Sequence, residues 1–335
     1  MRASRKMAWS ELMRARTLAV LAVMALGLVL AACGSSSSSS STESNTSSSA
    51  STQASGESSS GKPGAGKPAV TIGDKNFAEE NILGALYAQA LEAKGFKVTL
   101  KDNIGSSEIT YKALTSGQID MYPEYTGTLL SAIAEQTKNP ASAKAAYEEA
   151  KTFVEKHGLT LLDYTPFYDS DALATLPAYA SKNGISSVAD LAKLGKKVKL
   201  GAAPEFATRF EGLKGLEAEY GVKPTFKPIA IELSYKALET GQVDVQDVFT
   251  TDGQLLGGKF KVLADPKHVF GFQNVAPVVK QSVVSAEGPA FAETLNKVTS
   301  LLTTPAIQQM NKAVSIDKQS ASTVAKQFLQ ANGLA

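Results

Sequence analysis

Two nearly identical stretches of ten residues decide the fold, YKALTSGQID at residues 111–120 and YKALETGQVD at residues 235–244. The likeness continues upstream, where VTIG (70–73) corresponds to VKLG (198–201). Each half of the chain therefore repeats one order of elements over about 55 residues. Because solenoid units run only about 20–50 residues, a separation of 124 positions predicts two equivalent lobes instead.

Strand and helix patterns alternate within each repeat. Short apolar runs predict strands, and apolar residues at helical spacing followed by glycine predict helices. In the first half these segments are, in order, AVTIG, EENILGALYAQALEAKG, KVTLK, SEITYKALTSG and IDMY. The order predicts an α/β fold in which each lobe is a mainly parallel sheet flanked by helices.

The repeated GQID and GQVD segments are expected to be structural, a helix stop followed by a strand start. Ligands of open α/β sheets bind beyond the carboxyl ends of the strands. We therefore expect the chemistry in the residues that follow the repeats, at a cleft shared by two facing lobes. Tyr111 and Tyr235 are equivalent in the two repeats, but both lie within predicted helices and are interpreted as packing residues.

Residues 1–32 have the layout of a secretory signal peptide. Five basic residues against one acid precede an apolar run at residues 17–30, and small residues follow it. The run is shorter than the about 20 residues needed to span a bilayer, and a retained signal anchor is the alternative. The only cysteine, Cys33, ends the segment LAAC, which resembles a bacterial lipobox. That resemblance implies cleavage before Cys33 and lipid attached to it, which would anchor the protein to a membrane.

Residues 33–68 begin with this cysteine and continue as a serine-rich stretch. They lack any apolar period, which predicts a disordered tether. The folded part begins near Ala69 and holds about 265 residues, enough for one large or two medium domains. The whole chain carries a net charge of +2 and the leader a surplus of four positive charges, so the remainder carries about −2. A nucleic-acid partner, which would require a basic stripe, is therefore not expected.

The sequence contains none of the common catalytic or phosphate-binding motifs. GxxxxGK[ST], HExxH, CxxC and GxSxG are all missing from it. The two histidines, His157 and His268, are far apart, and both follow a lysine. We interpret them as solvated surface residues and expect neither a metal nor a cofactor.

Further motifs resemble the substrate-binding lipoproteins of ABC importers for glycine betaine, choline, carnitine and related osmoprotectants. They run in order through residues 69–335 as IGDKNFAEENILG, DMYPEYTGT, PEFATRFEGLKGL, LSYKALETGQVDV, DVFTTDGQL and NVAPVV. The resemblance implies a two-lobe clamp like that of periplasmic binding proteins, similar to their type II. Lobe 1 would comprise residues 69–168 plus 275–335, and lobe 2 residues 169–274, with closure by a hinge motion at two crossovers.

The resemblance also implies how such a ligand is held. In that family, cationic and hydroxyl donors meet the carboxylate of a betaine, and aromatic faces surround its quaternary ammonium. Lys75, Thr128 and Arg209 match the positions near the carboxylate. An arginine fork can grip a carboxylate through two parallel hydrogen bonds.

The aromatic cage departs from the family pattern. Tyr125 is kept and Phe249 replaces a tyrosine, but Asp171 and Gln273 fall on the other two positions, so at most two of four aromatics are expected. A quaternary ammonium has no N–H and is held best by ring faces. Asp171 therefore suggests direct pairing with the cationic end of the ligand. With Gln273, it would suit an ammonium, amidine or guanidinium at least as well.

Each of these residues also has a purely structural interpretation. Lys75 would be a solvated loop lysine, and the two aromatics would be core residues at strand ends. Arg209 would pair with Glu205 or Glu211 on the surface. Asp171 would cap a helix or pair with Arg209.

The sequence as a whole predicts an extracytoplasmic, lipid-anchored solute receptor that performs no catalysis. It would be a monomer that delivers a small zwitterion or cation to a permease with a separate ATPase. One alternative keeps this transport role for an amino acid or another non-quaternary cation. Another is a sensor domain or a clamp-fold enzyme, since a fold alone does not settle function.

Overall fold

The computed structural model describes residues 61–335, so the predicted signal peptide, Cys33 and most of the predicted tether lie outside the described residues. The strands are β1 Ala69–Gly73, β2 Lys97–Lys101, β3 Met121–Tyr125, β4 Leu159–Leu161, β5 Asp171–Thr175, β6 Lys199–Ala202, β7 Thr225–Pro228, β8 Val245–Phe249, β9 Lys261–Val262 and β10 Val275–Lys280.

The helices follow the strands in regular alternation through the first half of each repeat. The α-helices are α1 Ala78–Ala93, α2 Ser107–Thr115, α3 Thr126–Thr128, α4 Ala143–Glu155, α5 Pro177–Asn183, α6 Gly215–Tyr220, α7 Ser234–Glu239, α8 Gln281–Glu287, α9 Pro289–Leu301, α10 Thr304–Ser315 and α11 Ala321–Ala331. Segments of π-helix are Leu129–Ile133 and Phe210–Lys214, and 3₁₀ turns are Val188–Lys193, Gly195–Lys197, Pro204–Ala207, Ile231–Leu233 and Gly253–Leu255.

The strands form two five-stranded sheets of the same design, and each sheet with its helices is one lobe. The orders are β2-β1-β3-β10-β4 in lobe 1 and β7-β6-β8-β5-β9 in lobe 2. The predicted two-lobe α/β fold is confirmed. Four strands of each sheet run in the same direction, as a mainly parallel sheet predicts, but β10 and β5 run antiparallel to both of their neighbours. These two strands enter their sheets from the other lobe and therefore travel in the opposite direction, which makes both sheets mixed.

The repeated aspartate joins two strands in each lobe. Asp120 Oδ2 accepts a hydrogen bond from the Thr71 backbone N–H at 2.9 Å, and Asp244 Oδ2 accepts one from the Lys199 N–H at 2.9 Å. The preceding glycines, Gly117 and Gly241, have φ of 84° and 69°. That left-handed conformation favours glycine and ends each helix. The duplicated ten residues therefore have a structural role, although β3 begins at Met121, two residues later than the predicted IDMY strand.

The chain crosses between the lobes along two neighbouring segments. Tyr168 and Asn274 form an isolated antiparallel bridge, and the Asp169 N–H donates to the Gln273 carbonyl at 3.0 Å. Apolar clusters lie on either side of these crossings, one around Leu114, Val154 and Val278, and the other around the second sheet. The crossings thus lie directly beside the strand edges that carry the candidate site.

Candidate ligand-binding cleft

Strand direction brings the predicted site residues to one edge of each sheet. Tyr125 ends β3 and lies opposite Val275, the first residue of β10, which directly follows Asn274 and Gln273. In the other sheet, Asp171 begins β5 and lies opposite Phe249, the last residue of β8. An antiparallel strand begins where its neighbour ends, so both strand types contribute side chains to the same edge.

A single cavity between the lobes is lined by all seven residues that the sequence singled out. They are Lys75, Tyr125, Thr128, Asp171, Arg209, Phe249 and Gln273. The cavity has a volume of about 60 Å³ and adjoins a larger one of about 360 Å³. Phe77, Asp169, Asp247 and Phe249 line both cavities.

Lys75 is buried and bound to carboxylates of its own lobe. Its Nζ lies 2.5 Å from Glu124 Oε1 and 3.8 Å from Glu80 Oε1, and it donates to Ser107 Oγ at 3.2 Å. The same ammonium lies 4.2 Å from the centroid of the Tyr125 ring. The solvated-loop interpretation is therefore wrong, since Lys75 is only 3% exposed. Its charge is balanced within the protein.

Three aromatic rings stack across the cleft. The Phe77 ring lies between those of Tyr125 and Phe249, with centroid distances of 6.2 and 5.3 Å and interplanar angles of 29° and 24°. Phe77 is a third ring, outside the four positions compared with the family, and Phe206 also lines the cavity. The Tyr125 hydroxyl donates to Glu79 Oε1 at 2.8 Å, which fixes the ring.

Arg209 forms a two-pronged ion pair across the cleft. Its Nε and Nη2 donate to the two oxygens of Glu108 at 3.0 and 2.9 Å, and its Nη1 lies 3.6 Å from Glu211 Oε1. Burial opposes ionisation of Glu108, but Arg209 outweighs it and lowers the pKa of Glu108 to about 2. Arg209 thus pairs with Glu211, as one interpretation anticipated, but its main partner is a residue of the opposite lobe.

The side-chain amide of Gln273 links Thr128 on one wall of the cleft to Glu211 on the other. Its Oε1 accepts hydrogen bonds from the Thr128 N–H at 2.9 Å and the Thr128 hydroxyl at 3.3 Å. Its Nε2 donates to Glu211 Oε2 at 2.8 Å and to the Phe270 carbonyl at 3.3 Å. Gln273 and Thr128 therefore line the cavity with polar atoms that already have partners in the protein.

Carboxylates dominate the electrostatics of the cavity. Burial raises the pKa of Asp171 to about 7, and the charge of Glu211 adds to this while Arg209 opposes it. Burial also raises the pKa of Asp247 and of Asp169 well above the usual range, reinforced respectively by Asp171 and by Glu79. Asp247 Oδ1 has no hydrogen-bond partner among the described residues. Such a wall favours a positively charged occupant, because a cation stabilises the ionised carboxylates.

Residues 68–331 match the family described as the substrate-binding domain of ABC-type glycine betaine transport systems. The chain belongs to this family of substrate-binding proteins. It is 35% identical over 277 residues to a glycine-betaine-binding protein of Pseudomonas aeruginosa, covering 79% of this chain and 88% of that one. It is 31% identical over 279 residues to the glycine betaine-binding protein YehZ of Escherichia coli, covering 79% and 90%.

A solved structure, described as a glycine betaine/carnitine/choline ABC transporter, has the same fold as this substrate-binding protein. It superposes with a TM-score of 0.64 at 28% identity, covering 79% of this chain and 99% of that one. Proteins of the family act outside the cytoplasm as solute receptors of ABC importers and work with permeases. Within residues 61–335, no helix is both long and apolar enough to cross a membrane.

Sequence reasoning missed four residues that shape the cleft of this substrate-binding protein. Asp169 and Asp247 could have been found from strand periodicity, because each lies two residues before a predicted site residue and shares its face. Phe77 lies two residues after Lys75 in the quoted motif IGDKNF. Glu108 gave no such signal, because its contact with Arg209 joins residues 101 positions apart in different lobes.

Proposed function

We propose that this substrate-binding protein closes its two lobes on a small cationic or zwitterionic osmoprotectant of the glycine betaine, choline and carnitine class. The observation that carries the proposal is the convergence of seven residues, drawn from distant segments of the chain, on one cavity between the lobes. The relatives in Pseudomonas aeruginosa and Escherichia coli, both glycine betaine-binding proteins, support the same class.

The proposed roles follow from the chemistry of the two walls. The rings of Tyr125, Phe77 and Phe249 present π faces to a quaternary ammonium, each good contact being worth about 0.5–2 kcal/mol. Asp171 supplies a negative charge beside them. Lys75, Thr128 and Arg209 would be the donors for a ligand carboxylate, which would have to displace Glu108 from Arg209.

A second candidate ligand is an amino acid or another cation that carries N–H groups. The observation that favours it is the set of carboxylates Asp169, Asp171 and Asp247 on one wall. A carboxylate accepts charge-assisted hydrogen bonds from an ammonium or guanidinium, which a trimethylammonium cannot donate. A sensor domain or a clamp-fold enzyme finds no comparable support in the cleft.

The proposed lobe boundaries remain residues 69–168 plus 275–335 for lobe 1 and 169–274 for lobe 2. The adjacent crossing segments, joined by the Tyr168–Asn274 bridge, support a hinge at these boundaries. Opening would separate Arg209 from Glu108 and so expose the cavity to solvent. Closure would bring both walls onto the ligand.

The remaining proposals concern how the protein is presented to its partners. Cleavage after residue 32 and lipid on Cys33 would anchor the chain to the outer face of the cell membrane. Residues 33–68 would then act as the tether for a monomer that meets its permease, with the ATPase on a separate chain. We also propose that the protein performs no catalysis.

A thermal-shift screen tests the proposed function directly. The purified protein is melted with glycine betaine, choline, carnitine, ectoine and basic amino acids, with mannitol as an uncharged control. A ligand present at about 100 times its dissociation constant adds about 2.7 kcal/mol to the free energy of unfolding, which is a readily measured rise in Tm. If none of the charged solutes raised Tm above the mannitol control, the proposal would be rejected.

A further inference from the structure

Glu108 occupies the guanidinium group of Arg209, which a ligand carboxylate would need. Glu108 lies in α2 of lobe 1, and Arg209 lies in lobe 2 just before the π-helical segment Phe210–Lys214. Two parallel hydrogen bonds of 3.0 and 2.9 Å engage one edge of the guanidinium. The third nitrogen, Nη1, faces Glu211 at 3.6 Å. Every nitrogen of the fork therefore faces a carboxylate of the protein.

Lys75, the other candidate partner for a ligand carboxylate, is neutralised in the same way. Its Nζ contacts Glu124 at 2.5 Å and lies 3.8 Å from Glu80. Both acids are fully buried. A ligand carboxylate that approached Lys75 would meet Glu124 as well, and the like charges would repel each other.

The carboxyl groups of the cavity have no such salt-bridge partner, although Asp169 Oδ1 accepts hydrogen bonds from Thr250 and Thr251. Asp169, Asp171 and Asp247 line the cavity, and within residues 61–335 none of them forms a salt bridge. The two cations of the cavity wall are paired, whereas the three carboxyl groups have no cation at salt-bridge distance, and burial raises their pKa values. A cation in the cleft would stabilise their ionised forms, so the cleft favours an occupant with a net positive charge.

We propose that Glu108 is a specificity-determining residue which, by holding Arg209, makes the cleft select small net cations over zwitterions that carry a carboxylate. This inference rests on the proposed function and names the preferred ligand within it. Choline and glycine betaine are a matched pair for this purpose. Both carry a trimethylammonium group, but choline has a hydroxymethyl group where glycine betaine has a carboxylate.

Displacement of Glu108 by a ligand carboxylate is possible but unfavourable. The Glu108 side chain is 38% exposed, so it can return to water when it leaves the fork. The penalty for a zwitterion is therefore modest, on the order of tenfold in affinity, because partly exposed ion pairs are weaker than buried ones.

The test compares the dissociation constants of choline and glycine betaine by isothermal titration calorimetry. The wild-type protein and its Glu108→Gln and Glu108→Ala variants are each titrated with both ligands. The ratio of the two constants is the informative quantity, because loss of an interlobe bond changes closure equally for both ligands and cancels. We expect choline to bind more tightly to the wild type. Both variants should reduce that preference roughly five- to tenfold by strengthening betaine binding.

The chain offers a matched control at the equivalent position of the other repeat. Glu232 precedes LSYKAL as Glu108 precedes ITYKAL, and within residues 61–335 it forms no salt bridge. It lines the adjoining cavity but not the one that contains Arg209. Glu232→Gln removes the same charge near the cleft and should leave the ratio unchanged.

The outcomes separate this inference from the function on which it rests. A wild type that prefers betaine, or a ratio unaffected by both Glu108 variants, would overturn the inference while leaving a functioning receptor. An equal change of the ratio in Glu232→Gln would overturn the inference too. Removal of any negative charge near the cleft would then have the same effect, independently of Arg209. Failure of the wild type and of every variant to bind either ligand would reject the proposed binding of quaternary ammonium compounds itself.

Discussion

Asp171 is the residue that most directly links the cleft to a cationic ligand. It lies at the start of β5, opposite Phe249 and close to Asp247. We predict that Asp171→Asn, which keeps the shape but removes the charge, weakens binding of the preferred cation roughly tenfold, or about 1.4 kcal/mol. Calorimetric titration measures this, with the exposed surface variant Asp163→Asn as control. Unchanged affinity for every cationic ligand would refute the role of Asp171.

The same carboxyl predicts how ligand binding depends on pH. The pKa of Asp171 is raised to about 7 by burial and by Glu211, with Arg209 opposing. A cation binds the ionised form, so its affinity should fall as the pH drops below about 7, by up to about tenfold per pH unit. Asp247 lies close to Asp171, and its pKa is raised as well. Titrations between pH 5 and 8 test this, and Asp171→Asn should reduce the dependence.

Phe77 is expected to contribute through the face of its ring. Phe77→Leu keeps an apolar side chain but removes the π system between Tyr125 and Phe249. Loss of one cation–π contact of about 0.5–2 kcal/mol predicts roughly a two- to thirtyfold weaker binding of a quaternary ammonium. Phe77→Tyr retains the ring and should retain the affinity. Equal affinities of the leucine and tyrosine variants would show that the ring face is not used.

Among the elements, the segment that follows β6 positions Arg209 in the cleft. Gly212 lies three residues beyond it, where a Cβ would approach the Phe206 carbonyl oxygen to 2.1 Å. We predict that Gly212→Ala lowers the free energy of unfolding by about 1–3 kcal/mol and lowers Tm by several degrees.

Circular-dichroism melts measure the effect of Gly212→Ala. Gly61→Ala is the matched control, because nothing lies within 4 Å of a Cβ at that position. A melting temperature equal to that of the control would mean that the segment yields without strain.

The repeat made most elements predictable, because strand and helix patterns are local and occur twice. The edge to which parallel strands lead predicted where the cleft lies, whereas Lys75 and Tyr125 were assigned from the resemblance to the family. Strand direction was harder, since β5 and β10 are antiparallel only because the chain crosses between lobes. Contacts that depend on two lobes meeting, such as Arg209 with Glu108, leave no pattern in a single segment.

At the scale of the whole molecule, buried acids make stability depend on pH in an unusual direction. The pKa values of Asp171 and Asp74 are raised to about 7 and that of Asp252 to about 6, in each case mainly by burial. The folded state therefore binds more protons than the unfolded chain between about pH 4 and 7. Their contribution to stability is complete below the unfolded pKa and is lost as pH rises through the folded pKa.

Stability of the unliganded protein should accordingly decline as the pH rises from about 5 to about 8. The acid Glu108, with a pKa lowered to about 2, acts in the opposite direction but only at lower pH. Denaturant unfolding at several pH values measures the free energy of unfolding. A free energy that rises across this interval would contradict the assignment of these groups as buried acids.

We propose above that the two lobes hold a small cation between an aromatic wall and a carboxylate wall. The most direct test is a crystal structure of the protein with choline. We predict the choline nitrogen within about 6 Å of the ring centroids of the Tyr125, Phe77 and Phe249 stack and beside the Asp171 carboxylate, with Arg209 still paired to Glu108. Choline bound outside the cleft, or within it but away from these rings and from Asp171, would contradict the account.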